Sequence, residues 1–530
     1  MPNPPQPWYT PGQPQQPVPG NPYAAEGGEP QGYGPPPGPG YGPPPGPPPR
    51  RGRFGRAPVV AAVVALVLVV VAGGVYAVTD WGRDAPAKPV AKESPRPSGE
   101  ASPSRTPAAR APEPRRIPTT EEINASRKPA DATAWIVDDK TDLPNGIHRL
   151  HDLWVVGDTV VQALHRKVAA YRLSDGAEVW SLPLPAAVCE TPANPTPDGR
   201  VVLFYRESAQ AARSNRCNQM LSLDLKTGKQ GWHKVLGDAG DQGSTLIVHS
   251  AISGDTLAIA WGIRAAAFRV DDGTKLYDIP RENPGQCYPD DVAGGTRLLV
   301  SSLCALSAGR SKSYSQLREI DPRSGKVLWR HRTKAGWKFG SLISVDPVVF
   351  TTENAEDIIK DWRVLVLGSK GKLRTTIDPR EKGFEQCAGD GSGGDIQPCR
   401  GSTVGKGLVM LGGTDRVGTY DLDTGKFLWG VKSEQVRKLY PLRAESDKEI
   451  LVYESATSTL PGRTFLLGPG GAGTEKTVLQ HPAAAAPFEF EMFGGRLAYV
   501  DGRLVVTHVV VTGNDARPEA RMLSFAPAPS

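Results

Sequence analysis

The sequence predicts an all-β protein, an eight-bladed β-propeller, on three observations. First, a segment made of a strand, an Asp-containing turn, a Gly and a closing aromatic recurs: LDLKTGKQGW ends at Trp232, IDPRSGKVLW at Trp329 and YDLDTGKFLW at Trp429. YRLSDGAEVW ending at Trp180 and FRVDDGTKLY ending at Tyr277 are drifted copies, and degenerate copies end at Thr375 and near Glu475. Second, these markers stand 52, 45, 52, 46, 54 and 46 residues apart, which is room for four short strands per unit. Third, each end of the repeat region carries unmatched strand sequence.

Each part of the unit has a physical reason. The Gly accepts the positive φ of a tight turn, and the Asp can bond the turn's backbone. Short apolar runs stand upstream of the markers, such as RVVLFY (Arg200–Tyr205), TRLLVSSL (Thr296–Leu303) and KGLVMLGG (Lys406–Gly413). Seven markers lie between 180 and 475. The runs Gly495–Val500, Arg503–Val511 and Arg521–Ala526 then lack a closing strand, while TAWIVDD (Thr133–Asp139) is a closing strand without a blade. Joining the two makes an eighth blade and hides two sheet edges. Seven blades is the count if they do not join.

The pattern D-x-x-[ST]-G-K-x-x-W resembles the pyrroloquinoline-quinone (PQQ) propeller repeat of the WD40-like quinoprotein superfamily, over roughly residues 131–527. The resemblance implies that the closing aromatics pack between neighbouring blades. Trp135, Trp180, Trp232, Tyr277, Trp329 and Trp429 are therefore expected to be structural. It also implies two directions of function. One is a non-catalytic scaffold or sensor, as in a propeller lipoprotein of outer-membrane assembly or the sensor domains of some actinobacterial membrane kinases. The other is a PQQ- and Ca-dependent quinoprotein dehydrogenase. Many such enzymes hold the cofactor under a disulfide between adjacent cysteines, beside a Glu/Asn/Asp calcium set. This sequence has no Cys-Cys pair and no matching calcium set. No catalytic or metal residue and no cofactor are expected, and the non-catalytic reading is preferred.

The region before the repeats differs in composition. Residues 1–56 are Pro/Gly/Tyr-rich and predict a disordered tail. A solvated tail is the preferred reading, and a ligand for proline-recognising modules or a self-associating segment is the alternative. Residues 57–79 form an uncharged run of 23, long enough to span a bilayer. Arg50, Arg51, Arg53 and Arg56 precede it, which favours a cytoplasmic N-terminus and an extracellular propeller. A signal peptide cleaved after Ala77 is the alternative, but 56 residues precede the run, which suits a signal-anchor. Residues 80–130 are rich in Pro, Ala, Ser and Arg and predict a disordered extracellular stalk. Of the net charge of +6, most lies before the repeats, with fourteen Lys/Arg against nine Asp/Glu up to Lys128. The repeat region is nearly neutral, which argues against nucleic acid as a partner. The expected partners are the membrane through 57–79 and an envelope protein or small ligand at the propeller loops.

All six Cys follow the apolar run, an even number that suits an oxidising exterior. They fall only in the longer blades, in the order Cys189 and Cys217, Cys287 and Cys304, Cys387 and Cys399. The alternation suggests duplication of a two-blade unit and three bridges, each within one blade. Zinc is disfavoured because no C-x2-C pair exists. His148 and His151 read as a surface pair in a loop. DGSGGD (Asp390–Asp395) lacks the carboxylates of a Ca²⁺ loop. No G-x-S-x-G, Walker or H-E-x-x-H motif is present.

Overall fold

The structure, a computed structural model, describes residues 116–529 except 139–142, 211–214, 238–244, 283–285, 388–395, 398, 493 and 514–517. The tail at 1–56, the span at 57–79 and most of the stalk lie outside the described residues. Among the described residues no helix is long and apolar enough to cross a membrane.

Eight antiparallel sheets make eight blades, seven of four strands and one of five. Blade 1 runs from His148–Val156 to Glu178–Pro183, blade 2 from Val188–Glu190 to Gln230–Val235, and blade 3 from Val248–Ser253 to Lys275–Ile279. Blade 4 runs from Cys287–Ala293 to Val327–Arg332, and blade 5 from Trp337–Val345 to Leu373–Ile377. Blade 6 runs from Ser402–Gly405 to Phe427–Lys432, and blade 7 from Leu439–Ser446 to Lys476–Gln480. The first strand of each blade is innermost, and these strands meet their neighbours around a ring. Because each blade is covered on both faces by its neighbours, its middle strands are mostly buried on both sides rather than alternating. Thr159–Leu164 and Thr256–Trp261 are buried at every residue, whereas Gln230–Val235, an outermost strand, is buried at none.

The ring closes as the unmatched strands predict. Thr133–Asp138 pairs antiparallel with Ala520–Ala526, with Trp135 opposite Ser524, and forms the outer strand of blade 8. Arg503–Thr507 and Leu497–Val500 complete the sheet inward. Val510–Val511 adds a fifth strand to the inner edge of blade 1.

The stalk does not extend to residue 130. Helix α1 (Thr120–Ser126) opens on a reciprocal capping box between Thr119 and Glu122 and buries Ile123 completely. Seven residues make a marginal helix alone, and contact with the propeller holds this one. The Asn124 side chain accepts the Ala134 N–H (2.9 Å) and donates to its carbonyl (2.8 Å), and Thr120 Oγ1 accepts the Ile136 N–H (3.2 Å). The helix thereby satisfies backbone groups on the edge of blade 8's outer strand.

The repeated turn works as its sequence suggests. Asp224 Oδ1 accepts the Lys226 N–H at 2.8 Å, and the Gly228 N–H returns to the Asp224 carbonyl at 2.8 Å. Gly228 has φ 71°, and a Cβ there would stand 2.6 Å from the Trp180 ring of the preceding blade. The glycine is thus required twice, for its dihedral and for the close seat of the aromatic.

The seam between blades 7 and 8 is built differently. Ile123, Tyr453, Leu479 and Phe525 form a cluster there with Phe488 of helix α2 (Ala486–Glu491). Buried Glu489 accepts hydrogen bonds from Tyr453 Oη (2.7 Å), His481 Nδ1 (2.9 Å) and the Gly462 N–H (3.2 Å).

Candidate functional site

The closing aromatics all lie at seams between blades. Trp135 Nε1 donates to the Leu173 carbonyl of blade 1 at 2.8 Å, and Trp232 Nε1 donates to the Val270 carbonyl of blade 3 at 2.7 Å. Trp180 seats against Gly228, and Tyr277 Oη donates to the Pro322 carbonyl at 2.8 Å. Trp329 lies against Gly371 of blade 5 and donates to Glu319, and Trp429 packs with Ile450, Val452 and Phe465 of blade 7. None of the six faces the axis cavity described below.

The cysteines form Cys189–Cys217, Cys287–Cys304 and Cys387–Cys399, with none free. The first lies within blade 2. The second joins opposed residues of the two inner strands of blade 4. The third closes the connection between blades 5 and 6, ahead of Ser402–Gly405 rather than inside a sheet.

The best-formed site lies on the axis, where the chain segments next to the inner strands converge. The Asn194 amide of blade 2 donates to the Gly294 carbonyl of blade 4 at 3.2 Å. Gln397, leading into blade 6, donates to the same carbonyl (3.2 Å) and accepts the Gly294 N–H (2.9 Å). The Ile396 N–H binds Asp291 Oδ2 at 3.0 Å, and the Ile396 carbonyl accepts the Leu342 N–H at 2.6 Å. Residues 396–397 thus fill the axis beside blades 4 and 5.

A cavity of about 420 Å³ remains between blades 1, 2, 6, 7 and 8, lined among others by Asp152, Arg400, Tyr440, Arg443 and Arg496. Arg496 Nη1 pairs with Asp152 Oδ1 at 2.6 Å, and Thr191 Oγ1 donates to Asp152 Oδ2 at 3.0 Å. Arg443 pairs with Glu445 at 2.7 Å and lies 5.0 Å from the Tyr499 ring centroid. Arg400 Nη1 donates to the Gly494 carbonyl at 2.5 Å. Burial, with the like charges of Arg496 and Arg149 adding to it, holds the Arg400 guanidinium down to a pKa of about 10. Across the axis, Asp290 is reached by solvent but surrounded by protein. That burial raises its carboxyl, against the opposing pull of His249 and Lys338.

A second cavity, of about 320 Å³, opens on blades 1 to 3 beside Cys189–Cys217. It corrects the reading of His148 and His151 as a surface pair in a loop, because both lie on blade 1's inner strand. His151 is buried, with Nε2 at 3.1 Å from the Val188 carbonyl. The His148 ring meets His165 edge-on at 4.7 Å. The strand was missed because its polar residues face the cavity.

The residues present do not fit a calcium-bound quinone. Hard Ca²⁺ takes six to eight oxygen ligands with carboxylates among them. Among the described residues the axial cavity offers one carboxylate, Asp152, already held by Arg496 and Thr191. Among the described residues no group of three His, Cys, Asp or Glu is placed to hold a metal. The disulfides join cysteines 28, 17 and 12 residues apart, none of them adjacent.

The fold and site define an eight-bladed propeller with a basic axial cavity. Residues 119–306, from α1 into blade 4, match the PQQ_2 family, described as outer membrane protein assembly factor BamB. No curated protein matches the chain significantly. Among solved structures, BamB from Moraxella catarrhalis is 13% identical, over 75% of this chain and 97% of that one, at a TM-score of 0.42. A quinohemoprotein alcohol dehydrogenase from Pseudomonas putida is 12% identical, over 79% and 83%, at 0.42. A computationally designed protein is 12% identical, over 73% and 99%, at 0.43. The blade count stands on the strand pairing described above.

Proposed function

We propose that the chain is a non-catalytic binding module, a scaffold or sensor tethered to the membrane through residues 57–79 with its propeller outside the cell. The observation that carries this reading is the axial cavity. Among the described residues its charged groups are three arginines and one aspartate already paired, an arrangement suited to holding a ligand. Among the described residues it holds no general acid–base pair and no calcium shell. The three disulfides support an oxidising exterior, because such bonds persist outside the cytosol. The similarity of residues 119–306 to a family described as an assembly factor agrees with a scaffold role.

The test is titration calorimetry of the full chain with PQQ plus Ca²⁺, paired with a dye-linked alcohol oxidation assay. The expected result is neither tight binding nor turnover. Tight binding with turnover would make the chain a dehydrogenase and end the binding-module reading. Labelling of engineered surface cysteines on intact cells tests the topology: a site in the propeller reacts, and a site in residues 1–56 does not.

A further inference from the structure

The binding-module reading leaves the ligand open, and the axial cavity narrows it. We infer that the cavity takes a compact oxyanion, a carboxylate or phosphate group on a small molecule, held between Arg400 and Arg496; this inference rests on the binding-module reading above.

The charges around the cavity do not balance. Arg443 is turned toward Glu445 and Tyr499. Asp152, the single lining carboxylate among the described residues, is shared by Arg496 and Thr191. Among the described residues Arg400 donates to one carbonyl, that of Gly494, and a guanidinium carries five N–H donors. Arg496 and Arg149 repel Arg400, adding to the cost of burial, and outweigh the opposing pull of Asp152. A partly buried cation beside like charges is costly unless an anion compensates it. Planar guanidinium forks match the two oxygens of a carboxylate or phosphate.

The wall of the cavity is fixed in advance. The amides of Asn194 and Gln397 are occupied by Gly294, so they shape the site without needing to move. The volume of about 420 Å³ falls within the range of small-molecule sites. The ligand is therefore a small anion rather than a folded partner. Asp152 competes with it for Arg496, which gives the inference a signature that a purely structural arginine would not produce.

The experiment uses the full chain in detergent micelles. Sodium phosphate and trisodium citrate are titrated by calorimetry at an ionic strength held constant with sodium chloride. Wild type is expected to show one saturable site. Arg400→Gln should weaken it by about tenfold or more, as expected for loss of a charge-assisted contact. Arg400→Lys, which keeps the charge and loses the fork, should fall between. Asp152→Asn keeps the bond with Thr191, releases Arg496 and should tighten binding. Saturation by citrate alone assigns a carboxylate, and saturation by phosphate alone assigns a phosphoryl group; either supports the inference. It is overturned if neither anion saturates a site, or if Arg400→Lys binds as tightly as wild type and Asp152→Asn binds no tighter. Those two variants decide the matter even if Arg400→Gln does not fold. Failure of the inference is distinct from failure of the binding-module reading, which only PQQ-dependent turnover would overturn.

Discussion

Blades 2, 4 and 6 and blades 1, 3, 5 and 7 come from one repeat, yet they treat the axis differently. The inner strands of the odd blades have nine, six, nine and eight residues. Those of blades 2, 4 and 6 have three, seven and four, and that of blade 8 has four. Blades 2, 6 and 8 have the shortest inner strands and leave irregular segments that reach the axis, where Gly294, next to the inner strand of blade 4, meets them. The contacts of Asn194 and Gln397 with Gly294, of Ile396 with Asp291 and of Arg400 with Gly494 all join even blades. The three disulfides fall in or next to blades 2, 4 and 6. The even blades carry the irregular axial segments, while blades 1 and 7 add Asp152, Tyr440 and Arg443 to the cavity from their inner strands.

This contrast can be broken at several strengths. The largest effect is expected at a seam, which every blade needs. Trp135→Ala removes a fully buried indole and should cost about 3–5 kcal/mol in denaturant unfolding. Trp180→Ala, at a less buried seam, should cost less. Next, Cys189→Ser with Cys217→Ser opens a loop of 28 residues and should cost about 3 kcal/mol on loop-closure entropy. Hydrogen exchange should then rise in blade 2 and along the Asn194 segment before it rises in blade 3. Equal loosening of blades 2 and 3 would remove the distinction between even and odd.

A smaller effect is expected at the helix that guards blade 8. Thr119→Ala removes half of the capping box and should cost about 1 kcal/mol, read as faster exchange at Ala134 and Ile136. The smallest effect is a pH dependence where an even blade meets an odd one. His331 of blade 4 bonds the Gly371 carbonyl of blade 5, and burial lowers its pKa below the ordinary 6.5. The unfolded chain takes up this proton more readily than the folded one. Stability present above pH 6.5 should therefore decline as the pH falls through the lowered value. His331→Gln should flatten that part of the melting-temperature profile.

Much of the fold was legible because the repeat puts its most constrained residues in sequence order. Asp224, Gly228 and Trp232 each answer a local need, so spacing alone revealed the blades and the closing strand at Thr133–Asp138. Helix α1 was written in the sequence as Thr119-x-x-Glu122, but the surrounding Pro- and Arg-rich composition masked a short helix that depends on tertiary contact. The axial site was not legible. Arg400, Arg496 and Asp152 belong to no motif and meet only because the ring brings blades 6, 8 and 1 together. One signal was present: Asn194, Gly294, Gln397 and Gly494 stand close to 100 residues apart, the same two-blade period that the cysteines follow.

The strand that closes the ring also sets a schedule. Thr133 and Ala526, bonded to each other, are 393 residues apart in the chain. During translation the TAWIVD strand leaves the ribosome before any blade and must wait, unpaired, until residues 520–526 have been made. Blades 1 to 7 can form in turn from local hairpins, but until then the product is an open arc with two apolar faces at its ends. Completion of the ring is thus a late, long-range event of the slow and aggregation-exposed kind. A ribosome stalled anywhere within the last blade releases a protein with most of its sheets made and its ring unsealed.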